Sequence, residues 1–309
     1  MDDIIRKKKK LKNNSSWCFL YHHDKNEKWS LPVGFANELE SQGISLKRKE
    51  FHNPLEFKLP NNEYIKKNKI TVLLIFYSGY SDYLDKELIN FKKQFPKILI
   101  INELGDEPQT RPLNYIRAAL SDISLSPDYE SFLYWKNKGF NCYWFTHWAD
   151  SKIFYQNNYQ DRKILIGTSS GKRKYTSMLK ILFRNNFQNK RLRDEENTLF
   201  YNNVKIVFQY ARWFEITRRI FEASACGCCV ITNKLPKEKR LENIFNHNES
   251  IIFYENRLSL ILEILKLILN PKKIQRIANT ASYIVNQNHT VKKRVEFLIN
   301  EVNKLQKKI

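Results

Sequence analysis

The feature that most constrains this chain is a rhythm. Short runs of branched and aromatic residues alternate with longer stretches bounded by helix start and stop residues, and the pattern begins again after Asp150. Residues 17–21, 70–76, 98–102 and 142–146 are predominantly apolar rather than alternating, the signature of strands buried on both faces. Between them, 33–42 ends at Gly43, 82–94 ends before Pro96, and 127–138 ends at Gly139, as helices do. The second round predicts strands at 163–166, 204–209, 229–232 and 251–254, with helices at 174–186 and 217–226. Strands that alternate with helices form parallel, doubly wound sheets. The expectation is an α/β protein of two Rossmann-like domains, 1–150 and 151–309, joined through the polar stretch 156–162 and facing a cleft where ligands bind.

The chain can support this architecture: 309 residues with 42% hydrophobic and 14% aromatic content supply ample core. No apolar run approaches the roughly 18 to 20 residues needed to span a bilayer, and residues 1–10 lack the apolar stretch of a signal peptide. A cytoplasmic protein is expected, at most peripheral to a membrane or nucleic acid. The five cysteines, 18, 142, 226, 228 and 229, show no C-x-x-C spacing, so they read as packing residues rather than metal ligands or disulfides. Lys plus Arg outnumber Asp plus Glu by 53 to 32, a net charge of +21 that favours anionic partners. Lysine keeps company here with abundant Asn and Ile, however, the composition of AT-rich coding, and ordinary solvated surface explains much of such a surplus. Lys7 to Lys10 and Lys12 would assist binding to either membrane or nucleic acid.

Two segments carry the chemistry. In Thr217-Arg-Arg-Ile-Phe-Glu-Ala-Ser-Ala-Cys-Gly227, Thr217 is placed to cap a helix and Gly227 to stop it, while Ala223, Ser224 and Ala225 leave room for a backbone or flat ligand. Glu222 could clasp the vicinal hydroxyls of a ribose, or simply pair with Arg218 or Arg219 on the helix surface. Spacing alone favours the pair. In Ile164-Leu-Ile-Gly-Thr-Ser-Ser-Gly-Lys-Arg-Lys-Tyr175, a strand runs into a loop whose Gly167, Thr168 and Ser169 offer backbone N–H groups to a phosphate at a helix start. It is not a Walker loop: Gly167 and Gly171 are separated by three residues, and Arg173 follows Lys172.

Residues 217–254 resemble the donor-binding segment of group 1 glycosyltransferases, especially the spore-maturation-type branch. The matching residues are Arg219, Phe221, Glu222, Ala223, Ala225 and Gly227, followed by Leu241-Glu-Asn-Ile-Phe245 and Ile251-Ile-Phe-Tyr254. The resemblance extends more weakly to 30–36, to 122–128, and to His289, Thr290 and Arg294 in a closing helix. It implies the two-domain GT-B fold, with a C-terminal helix packing back on the N-terminal domain. That helix is visible as Val291, Val295, Leu298, Val302, Leu305 and Ile309 recurring at spacings of three and four. The implied donor site comprises Glu222 on the ribose, Lys172 or Arg173 near the pyrophosphate, and Arg219, Gly167, Thr168, Ser169 and Gly34. Many relatives carry a second glutamate eight positions before the ribose ligand; here Phe214 stands there and Glu215 follows it.

The implied activity is transfer of a hexose or pentose from a nucleotide sugar to an acceptor hydroxyl, with a glycan or glycolipid at an anionic surface the favoured acceptor. No metal or other cofactor is implied, because basic groups and a helix end can neutralise a diphosphate and no D-x-D motif occupies a suitable loop. Candidate catalytic bases lie at the ends of first-domain strands: His22 and His23, with Asp24 beside them, and Asp106 with Glu107. Competing expectations are a DNA glycosyltransferase acting on a hydroxylated base, a nucleic-acid-binding module without catalysis, and a degenerate fold that only binds.

Overall fold

The computed structural model describes residues 16–24, 29–53, 56–77, 82–157 and 162–307; the basic residues at 7–12 and part of the stretch 156–162 lie outside them. Two parallel sheets organise the described chain. The first comprises β1 (Ser16–His22), β2 (Ser45–Phe51), β3 (Ile70–Phe76), β4 (Leu99–Glu103), β5 (Ile123–Ser126) and β6 (Cys142–Trp144), in the order β2-β1-β3-β4-β5-β6. The second comprises β7 (Ile164–Thr168), β8 (Phe187–Asn189), β9 (Val204–Gln209), β10 (Cys229–Asn233) and β11 (Ile252–Tyr254), in the order β11-β10-β9-β7-β8. The helices are α1 (Leu31–Ser41), α2 (Asn62–Asn68), α3 (Asp82–Gln94), α4 (Tyr115–Leu120), α5 (Tyr129–Asn137), α6 (Thr176–Phe183), α7 (Asp194–Asn202), α8 (Arg218–Ala225), α9 (Arg257–Ile268), α10 (Pro271–Asn288) and α11 (Val291–Gln306).

Strand position follows composition. In β3, Ile-Thr-Val-Leu-Leu-Ile-Phe, every residue but Thr71 is buried, because helices cover both faces of a central parallel strand. β2 reads Ser-Leu-Lys-Arg-Lys-Glu-Phe and is the outermost strand, where charged side chains discourage pairing with other chains. The sequence rhythm did not anticipate β2, nor the three-residue β8. It also missed α10, whose buried face of Ile274, Ile277, Ala278, Ala281, Ser282 and Val285 is built largely from small residues. That face packs on α8, so the run of small residues at 223–225 serves a neighbouring backbone, with Ser282 donating to the Ala225 carbonyl at 3.5 Å.

The closing helix returns to the first sheet. Val291, Val295, Leu298 and Val302 are buried beside Phe19, Phe35, Leu39 and Val72, and α11 contacts α1. Each such side chain contributes about 1.5–3 kcal/mol by leaving water. The chain therefore crosses between the halves at two neighbouring points. They are tied where Ala149 N donates to His289 O at 2.9 Å and Val291 N donates to Ala149 O at 3.0 Å. A buried ion pair fastens the seam elsewhere: Lys239 Nζ lies 2.7 Å from Asp128 Oδ1 and 3.0 Å from Glu130 Oε2. Because all strands within a sheet run parallel, their carboxyl ends share one edge, and loops from the two edges form the cleft between the halves. Among the described residues no helix is long and apolar enough to cross a membrane.

Candidate functional site

The cleft holds two adjoining cavities of opposite character. The larger, about 600 Å³, sits over the carboxyl edge of the second sheet. Ser169, Ser170, Gly171, Lys172 and Arg173 reach it from the loop after β7, Arg191 and Arg193 from the segment after β8, Arg212 from the loop after β9, and Arg218 and Arg219 from the first turn of α8. Seven lining residues are cationic, and none of the described lining residues is a carboxylate. Gly171 takes φ +67°, a left-handed turn suited to glycine, and so bends the loop away from the strand. Thr168 Oγ1 and Ser170 Oγ lie 2.8 Å apart, and Ser169 Oγ lies 2.6 Å from the Tyr201 hydroxyl, which fixes the loop from beneath. Burial and the neighbouring charges of Arg212, Arg219 and Arg191 push the Arg173 guanidinium below its ordinary range.

Behind this wall lies Glu222, 1% exposed. Arg218 Nε is 2.7 Å from its Oε1, so the helix-surface pair allowed by the sequence is present. The approach lacks hydrogen-bond geometry, and both buried carboxylate oxygens remain without a donor. Thr217 Oγ1 and Ser224 Oγ are likewise buried without partners. Thr217 therefore does not cap α8 with its side chain, contrary to expectation. Gly227 does stop the helix, at φ +71°, and a side chain there would collide with Gln156. Glu222 itself does not line the cavity; Arg218 lies between them.

The second cavity, about 380 Å³, opens toward the first sheet. It is lined by Glu103, Asp106, Glu107, Asp128, His147 and Glu215, and it shares Arg218 and Arg219 with its neighbour. Burial pushes the Glu103 carboxyl up to about 8, reinforced by the charges of Asp106 and Glu107, so it holds a proton near neutrality. Burial also raises Glu107, although its carboxylate accepts from Ser126 Oγ and Trp135 Nε1, both at 2.7 Å, and from Asn114 Nδ2 at 3.2 Å. Burial and the charges of Arg218 and Arg294 push His147 down to about 4, leaving a neutral imidazole able to accept a proton. Asp106 is exposed at the rim, with φ +55°.

The other expected residues are distributed unevenly. Lys172, Arg173, Ser169 and Arg219 line the cationic cavity. Gly167 and Thr168 lie beneath it: a side chain at Gly167 would meet Val204 and Phe200, and Thr168 is fully buried. Gly34 lines neither cavity; the space beside it holds the Trp29 indole, which donates to Asp150 Oδ2 at 3.1 Å. His22 and His23 stand at the end of β1, yet they line neither cavity. His22 Nε2 meets the His52 carbonyl at 3.2 Å, and His23 Nδ1 meets Ser30 Oγ at 3.0 Å, with Ser30 in turn lining the cationic cavity. Of the catalytic candidates, Asp106 and its neighbour Glu107 face a cavity, and they are joined by Glu103 and His147, which the sequence did not single out. His147 follows the predicted strand 142–146, so the strand-end criterion that picked out His22 would also have found it. Arg191 and Arg212 gave no signal among so many basic residues. Among the described residues no three His, Cys, Asp or Glu are arranged to hold a metal ion.

Residues 155–300 match the family described as glycosyl transferase-like. No curated protein matches the sequence. The fold is shared with sucrose-phosphate synthase from Thermosynechococcus elongatus, at 10% identity and TM-score 0.68 over 95% of this chain and 100% of that one. HepE from Anabaena, solved in complex with UDP, is similar at 12% identity and TM-score 0.63 over 94% and 100%. A glycosyltransferase from Rickettsia africae aligns at 10% identity and TM-score 0.64 over 94% and 99%. The protein thus has the GT-B fold along nearly its whole length, and its second half matches the glycosyl transferase-like family pattern.

Proposed function

We propose that the protein transfers a sugar from a nucleoside diphosphate sugar to an acceptor hydroxyl, with residues 151–309 holding the donor and residues 1–150 facing the acceptor. The observation that carries this is the cavity lined by seven cations and no described carboxylate, at the strand edge where such folds bind ligands. A uridine nucleotide is favoured because HepE was solved with UDP and with UDP-glucose. Lys172, Arg173, Arg219 and the loop amides hold the diphosphate. Glu222 accepts from the ribose hydroxyls once Arg218 turns aside, which gives its donorless oxygens their partners. The match of Arg219, Phe221, Glu222 and Gly227 to the spore-maturation-type branch supports the same assignment.

In the reaction the acceptor oxygen bonds to the anomeric carbon while the bond to the diphosphate oxygen breaks. The acceptor proton passes to a base in the acidic cavity, where Asp106 and neutral His147 are placed to receive it. The cations stabilise the departing charge, so the chemistry requires no divalent metal. The acceptor cavity is lined by carboxyl groups able to accept hydrogen bonds from sugar hydroxyls, which favours a glycan or glycolipid acceptor.

Calorimetry of the intact chain with UDP-glucose and UDP tests the donor assignment. Donor at 100 times its Kd should stabilise the fold by about 2.7 kcal/mol. A thermal scan unmoved by any nucleoside diphosphate sugar removes the proposal.

A further inference from the structure

The cationic cavity holds more positive charge than a nucleoside diphosphate neutralises. Two of its seven cations have carboxylate partners: Arg218 pairs with Glu222 at 2.7 Å and Arg193 with Asp24 at 3.4 Å. Lys172, Arg173, Arg191, Arg212 and Arg219 form no ion pair among the described residues, although all five line the same cavity. A nucleoside diphosphate sugar carries about two negative charges at neutral pH. Clustering five guanidinium and ammonium groups is unfavourable unless anions neutralise them. The crowding is visible at Arg173, which Arg212, Arg219 and Arg191 all oppose.

The five cations are spread across the sheet edge, with the loops after β8 and β9 on either side of the loop after β7. Lys172 and Arg173 flank the amide-rich turn after β7, and Arg219 sits on the first turn of α8, the grouping suited to a diphosphate. Arg191 and Arg212 come from the loops after β8 and β9. Backbone geometry holds Arg191 in place, through its bridge with Ser170. Each of these arginines, one on either side of the β7 loop, offers a guanidinium fork suited to a planar carboxylate or a phosphate.

Building on the donor assignment above, we propose that this cavity binds a second anionic group beside the diphosphate, a carboxylate or phosphate held by Arg191 or Arg212 on one flank of the β7 loop. That group is carried either by the transferred sugar, making it an acidic sugar, or by the acceptor next to its reacting hydroxyl.

Calorimetric titration of the full chain separates these sources. UDP, UDP-glucose and UDP-glucuronate are compared at one ionic strength, and UDP-saturated protein is then titrated with inorganic phosphate. An acidic sugar predicts that UDP-glucuronate binds about tenfold more tightly than UDP-glucose, the gain expected of one charge-assisted guanidinium contact. An anionic acceptor predicts instead that phosphate binds saturably without displacing UDP. In either case the double variant Arg191→Gln/Arg212→Gln should abolish the gain while UDP affinity falls less than about threefold. UDP binding with equal affinity for the two sugar nucleotides, together with phosphate that only competes with UDP, overturns the second-anion site and leaves the donor assignment standing. Failure of UDP itself to bind overturns both.

Discussion

The two chambers of the cleft share Arg218 and Arg219, yet the first collects seven cations and no described carboxylate, while the second collects five carboxyl groups and a histidine. The difference teaches how one fold can divide the proposed transfer reaction. In that proposal the strand edge of the second sheet neutralises the charge that leaves, and that of the first manages the proton that moves. The shared arginines are the partition, and their charge reaches into both sides: Arg218 lowers His147 in one chamber and pairs with Glu222 behind the other.

The largest effect should come from breaking the ion pair that fastens the two halves. Lys239→Met leaves Asp128 buried without its cation, 4% exposed, and should cost about 3–5 kcal/mol in denaturant unfolding. A loss below about 1 kcal/mol would mean that solvent reaches the pair. Removing a shared wall should be next. Arg219→Ala should weaken UDP binding by about 1.5–3 kcal/mol, read by calorimetry, without moving the melting temperature comparably. Unchanged affinity would shift the diphosphate to Lys172 and Arg173 alone.

The chambers also differ in the direction of their pH response. Glu103 is raised to about 8, so its contribution to stability is full below the unfolded value near 4.5 and is lost as pH climbs toward 8. His147 is lowered to about 4, so its contribution is full above about 6.5 and is lost as pH falls toward 4. Glu103→Gln should therefore flatten the alkaline decline of stability between pH 5 and 8 and leave the acid limb in place. A mutant curve parallel to the wild type over that range would show that the proton is held elsewhere. The smallest effect belongs to chelation. If side chains meet the departing charge as proposed, excess EDTA should change the transfer rate less than about twofold, and a larger loss would place a metal in the reaction.

Much of the architecture could be read from the residues, because branched apolar runs bury on both faces of parallel sheets and little else does. The limits of β3, α3 and β9 follow from that rule. β2 escaped it because an edge strand is selected for charge, and α10 because its inward face is small rather than greasy. At the cleft, strand ends pointed to the right edge but not to the side each residue faces. His22 and His23 turn toward His52 and Ser30, whereas Asp106 and His147 turn into the acidic chamber. For Glu222 both suggestions, ion pair and unspent acceptor, describe the same carboxylate.

The return of α11 to the first sheet fixes an order of events during synthesis. Residues 16–144 can leave the ribosome and pair their strands, but the apolar patch around Phe19, Phe35 and Val72 stays open to water until Val291, Val295, Leu298 and Val302 emerge. A nascent chain thus carries an uncovered surface through translation of its entire second half, an interval in which chaperones or aggregation compete for it. Cutting the chain at residue 150 would make that exposure permanent, because the severed first half would lack part of its own core.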